Sequence, residues 1–172
     1  MSWPHLQVLP NITDRNFDPL VRYLFEIRNR ERWLLEMGGE IVLYYRRKRE
    51  GRICPNFNKI RGQHPQIEFC PYCFGTGYVG GFYRPLEIKV SILTPFNQRF
   101  KPTEQGIKNE AILNGWTLFE PNLQNGDFIV RKDGSRWWII EKRETRWRSH
   151  VLHQNFTAEF IEKGHSIYKI NM

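Results

Sequence analysis

The sequence predicts an α+β fold that is mainly β: one N-terminal helix, a Cys/Gly-rich insertion stapled by a metal, and a small antiparallel β-barrel or sandwich. Three observations carry this expectation. A capped amphipathic run begins at Asp18-Pro19 and stops at Gly38-Gly39. All three cysteines, Cys54, Cys70 and Cys73, crowd into one Gly-rich stretch. From residue 86 onward, apolar and polar residues alternate with period two.

Residues 1–17 carry Pro4 and Pro10 with no clear period and read as an extended arm. Residues 18–50 read as a helix plus a first strand. Asp18 is a good N-cap, and Pro19 occupies the first helical position, where its missing N–H costs nothing. The helix is expected over about 19–37, with Leu20, Leu24, Ile27 and Leu34 along one face and Val21 and Phe25 beside them. Arg22, Arg28, Arg30 and Arg32 hold the other face, and Gly38 and Gly39 supply the stop. Residues 40–51 read as a strand ending in a Glu50-Gly51 turn.

Residues 51–85 form a Gly-, Pro- and Cys-rich knuckle. A loop of that length inside a compact domain needs a reason, and a metal ion supplies one. The β-domain is expected over 86–172. Leu86 to Leu93 alternates, and Gly126 to Lys142 reads as a hairpin turning at Asp133-Gly134. Residues 103–113 fit a short helix or an extended loop. Residues 146–161 and 165–172 read as two further strands.

Cys70-Pro-Tyr-Cys73 has the spacing that lets two sulfurs bind one tetrahedral ion, and Gly75, Gly77, Gly80 and Gly81 let the backbone fold back over the thiolates. Cys54, also followed by proline, is the third candidate ligand. His64 is the expected fourth, and His150 and His153 are the alternatives. A structural zinc is the favoured occupant. An iron–sulfur cluster on the three cysteines and one other ligand ranks below it. A thioredoxin-like site lacks its βαβ context. Without a metal, the same residues read as three reduced, partly buried thiols in a turn.

Nothing marks an enzyme. G-x-S-x-G, H-E-x-x-H and a Walker loop are all missing from the sequence, as is the H-x-E plus P-C-x-x-C pair of zinc deaminases. The knuckle metal is therefore expected to be structural. The start of the chain does not read as a signal peptide, and no apolar run has the length of a membrane span. Net charge is +8, with basic clusters at Arg46, Arg47, Lys48 and Arg49 and at Arg143, Arg146 and Arg148. They suit a polyanion or an acidic protein surface, and equally a solvated face.

The succession of D18-P-L-V-R-Y-L-F, G51-R-I-C-P, C70-P-Y-C-F-G-T-G-Y-V-G-G-F-Y, W116-T-L-F-E-P, the 125–139 hairpin and H153-Q-N-F resembles virion structural proteins of tailed bacteriophages. In that group a cysteine-rich turn is joined to a small β-domain. The hairpin is similar to those of head-closure and connector proteins, which form small barrels ringing the DNA channel. The resemblance implies a ring subunit of the neck, joining head and connector to tail, made in the host cytoplasm and carried in the virion. Its implied partners are copies of itself, portal or connector proteins, tail terminator or tube proteins, and duplex DNA held without sequence preference. A baseplate or tail component of the same virion uses the same kinds of parts. From another class, a zinc-knuckle nucleic-acid-binding regulator would set Arg46, Arg47, Lys48 and Arg49 on phosphates. A metalloenzyme would need an open coordination position beside a general base, which the sequence does not place.

Overall fold

The structure, a computed structural model, describes residues 19–57, 70–103 and 106–170. One helix, α1 (Pro19–Gly38), precedes six antiparallel strands: β1 (Glu40–Tyr45), β2 (Leu86–Thr103), β3 (Gly106–Leu118), β4 (Phe128–Val130), β5 (Arg136–Trp147) and β6 (His150–Phe160). They close into a barrel in the order β1-β2-β3-β6-β5-β4. Closure, rather than a sandwich, follows from β1. It pairs with β2 on one side, Val42 opposite Ile88, and with β4 on the other, Tyr44 opposite Ile129. A closed barrel leaves no free edge along its wall.

The period-two pattern places Val42, Tyr44, Val90, Leu113, Ile129, Trp137, Ile139, Phe156 and Ala158 inside, with Leu123 joining from a loop. A second apolar cluster lies on the outer face of β1, β4 and β5. There Tyr45, Phe128 and Val130 are covered by Phe82 of the knuckle and by Ile161 and Ile167 of the C-terminal segment. That double cover explains why β4 is buried on both faces.

Several boundaries depart from expectation. Residues 106–113 are neither helix nor loop but the first part of β3. The C-terminal segment is not a strand: His165 accepts a hydrogen bond from the Ile167 N–H and caps a 3₁₀ turn, Ser166–Lys169. β1 stops at Tyr45, and the backbone then leaves the barrel as the stem of the knuckle. On α1, Leu24 is buried as expected, but Leu35 is the second buried residue, while Leu20 and Leu34 are exposed. The cause is how the helix docks on β2, β3 and β6. Polar contacts aim it: Arg28 donates to the Val151 carbonyl and lies over the Phe119 ring, and Glu31 pairs with His153 at 2.6 Å.

β2 and β3 are longer than the barrel needs. β2 leaves β1 after Val90 and β3 leaves β6 before Ile112, yet the two stay paired with each other out to Thr103 opposite Gly106. Residues 97–103 and 106–111 therefore form a two-stranded arm that reaches roughly 20 Å beyond the wall at about 3.3 Å per residue.

Candidate metal centre

The knuckle is a broken hairpin growing out of β1. Its stem is held by Tyr83 N–H to Arg46 O and Lys48 N–H to Gly81 O, and further out by Val79 N–H to Arg52 O and Cys54 N–H to Gly77 O, each 2.9 Å. Cys54 ends the outgoing limb. Cys70 and Cys73 sit in the turn that starts the return limb, where Phe74 N–H bonds Cys70 O and Thr76 N–H bonds Cys73 O, both 2.9 Å. The Thr76 hydroxyl also donates to Cys73 O at 2.8 Å and is buried.

These two limbs bring the three thiols together. All are buried and none is in a disulfide, and their sulfurs lie within 4.8 Å of one another, Cys54 Sγ and Cys70 Sγ being 3.6 Å apart. Tetrahedral coordination with bonds of about 2.3 Å sets sulfurs about 3.8 Å apart, so the cluster has the dimensions of a metal site. Three thiolates this close repel each other unless a cation or protons intervene. Burial opposes charge on Cys70, but backbone N–H groups of Tyr72 and Cys73 and the neighbouring thiols outweigh it and hold its pKa at about 6. Burial pushes Cys54 up to about 11, against a hydrogen bond from the Asn56 backbone. Backbone N–H groups aimed at sulfur are the usual support of a ligating thiolate, because they stabilise its charge without adding one.

The expected glycines fit. Gly75, Gly77, Gly80 and Gly81 all have positive φ. Gly81 matters most: at φ +60° it lies against Cys73, and a Cβ there would stand 2.7 Å from the Cys73 carbonyl oxygen. His64 lies outside the described residues. His153 is not a ligand, because it is held by Glu31 on α1, and exposed His150 is likewise outside the sulfur cluster.

The basic clusters divide by what they touch. The Arg47 guanidinium reaches the Gly75 and Thr76 carbonyls at 3.4 Å, and Lys48 Nζ donates to Val79 O at 3.0 Å, so both brace the knuckle. Arg46 stacks on Tyr83, and Arg49 reaches Asn125 O. Arg143 pairs with Glu141 and Arg146 with Glu144, while Arg148 lies over Trp147. Arg47 and Lys48 were read from the sequence as contacts to a polyanion or acidic surface, because a cation that braces its own chain and a solvated one look alike there. Thr76 was missed too, although its place three residues after the second cysteine of the C-x-x-C is a usable signal.

Elsewhere, an open cleft of about 790 Å³ separates the end of α1 from the wall of β1, β2 and β3, lined by Leu35, Ile41, Ile88 and Pro121 with Glu36 and Glu120 at its rim. No helix among the described residues is long and apolar enough to cross a membrane. Comparison with protein-family models gives no match, and comparison with curated proteins gives none either.

Proposed function

We propose that the protein is a structural subunit of a tailed-bacteriophage virion, a ring protein of the neck between head or connector and tail, with zinc on Cys54, Cys70 and Cys73. The observation that carries this reading is the arm of residues 97–103 and 106–111. Among the described residues, neither of its outer edges has a pairing partner. A two-stranded ribbon in water is marginally stable alone, and its open edges are templates for another chain. An arm of this kind on a closed barrel suits a subunit whose neighbours complete it.

The knuckle serves the same purpose. It leaves a rigid projection where a surface is needed, with half-exposed Ile53 and Tyr72 on it. Zinc is the expected ion because buried clustered thiolates favour it and it brings no redox chemistry. The regulator reading is weakened, since two of its four proposed phosphate contacts, Arg47 and Lys48, are used on the knuckle's own carbonyls. Arg46 and Arg49 remain exposed and suit weak, sequence-independent contact with duplex DNA.

The test pairs elemental analysis with electron microscopy. The full chain is expected to carry one zinc and to form closed rings. A variant with the arm shortened to a tight turn should keep the zinc and the barrel but lose the rings. Rings of unchanged size from the shortened variant, or no ring from the full chain at any concentration, would remove the proposal.

A further inference from the structure

The outer face of α1 has a pattern that its docking on the barrel leaves largely unused, the exception being Tyr23, whose ring meets that of Trp147 on β5 edge-on with centroids 5.3 Å apart. Pro19, Tyr23, Glu26, Arg30, Trp33 and Met37 step alternately by four and three residues, which is the seam of a coiled coil. All six are exposed, Tyr23 by 52%, Trp33 by 58% and Met37 by 72%. The side buried on the barrel, marked by Leu24, Arg28, Glu31 and Leu35, lies opposite.

This seam is its own complement. Turned antiparallel about the level of Arg28, Pro19 meets Met37, Tyr23 meets Trp33, and Glu26 meets Arg30, each twice. We infer that α1 is a two-fold interface at which a second copy of this chain docks its own α1 antiparallel. A self-complementary patch is the requirement of a two-fold dimer. The occupant follows from the charges, since a parallel partner would set Glu26 against Glu26 and Arg30 against Arg30. Within one copy Glu26 pairs with Arg22 at 3.1 Å, but both side chains are more than half exposed and that pair is worth little.

Tyr23, Trp33, Met37 and flanking Leu34, each about half exposed or more, offer on the order of 400 Å² of apolar surface per copy at ~150–250 Å² per large side chain. With the charged rim this approaches the ~1,000 Å² total of a specific contact, the size of a weak, transient dimer. The contact goes beyond the ring reading and does not depend on the arm.

The test is a charge swap read by sedimentation and native mass spectrometry on the full chain. Glu26→Arg alone sets arginines against each other, and Arg30→Glu alone sets glutamates against each other. Each should weaken self-association by about tenfold or more. Mixed together, the two variants are complementary at both pairs and should form a heterodimer about as tight as the parent. Circular dichroism checks that both fold, and the arm-shortened variant should still dimerise, which separates this contact from the ring. A parent chain monomeric throughout, single variants that associate like the parent, or a mixture no tighter than its components would each overturn the inference.

Discussion

Asp127 ties three separate stretches together. Its side chain accepts from the Tyr44 hydroxyl inside the barrel, from the Arg47 N–H at 2.8 Å where β1 becomes the knuckle stem, and from the Gln124 N–H at 2.9 Å in its own loop. Removing it leaves the Arg47 and Gln124 N–H groups without an acceptor and the Tyr44 hydroxyl with only the Asn122 carbonyl at 3.4 Å. Asp127→Ala is therefore expected to cost about 3 kcal/mol or more, measured by urea unfolding. Burial raises the Asp127 pKa above the ordinary carboxylate range, against the pull of those three donors. A folded value above the unfolded one means that this group favours the fold at low pH. That contribution fades as pH rises through the folded value. The carboxyl carbon shift of Asp127 should accordingly move at higher pH than that of an ordinary aspartate, and a titration in the ordinary range would contradict the burial argument. Buried Gln154 works similarly, accepting from the Leu123 N–H and donating to the Leu118 and Pro121 carbonyls. Neither residue was legible beforehand. A polar side chain's burial is decided by its partners, and these are distant in sequence. Cys54, Cys70 and Cys73 were legible, because two-residue spacing and paired prolines are local facts.

At the scale of elements, the knuckle and the 133–134 turn are separable trials of the fold. Cys70→Ser should lose the bound metal and open the knuckle to proteases, while the barrel persists, since its inner core contains no knuckle residue. Chelation should do the same and should also loosen the outer cluster, where Phe82 and Phe74 pack. Unchanged proteolysis after chelation would mean that packing alone holds the turn. Gly81→Ala should weaken metal retention, because the Cβ meets the Cys73 carbonyl. At the β4–β5 turn, Gly134 has φ +78° with open space around it, so Gly134→Val should cost about 1 kcal/mol through backbone strain alone, read as a shift in the unfolding midpoint. The Asp133-Gly134 turn was readable because its chemistry is local, whereas Asp18, the expected N-cap, lies outside the described residues and neither Gly38 nor Gly39 has the left-handed backbone expected of a helix stop. The first part of β3 was not, since Thr103 to Leu113 lacks a clean alternation and its strand state comes from pairing with β2. The C-terminal 3₁₀ turn was misread as a strand for the opposite reason. Ser166, Ile167 and Tyr168 have strand-like composition, but the Arg136 guanidinium takes the Ile167 and Ile170 carbonyls and fixes a turn there instead.

For the whole molecule, the mainly-β class and the order of parts were legible, whereas closure was not. Period two says which residues face inward but not which strands meet. Two features look outward from the finished barrel, the two-stranded arm and the seam on α1. Shortening the arm while keeping Ala111, which packs on the inner core, should leave the thermal midpoint within a few degrees of the parent, and a large drop would make the arm part of the fold. The closing seams carry a consequence in time. β2–β3, β4–β5 and β5–β6 are successive strands, but β1 must find β4 across some 85 residues, and β3 must find β6 across some 40. Such distant partners make folding slow, on the millisecond-to-second scale. A nascent chain would emerge with all three knuckle cysteines before β4 exists, so any ion held there would be captured before the barrel closes. The ion would then shorten the search between β1 and everything that follows.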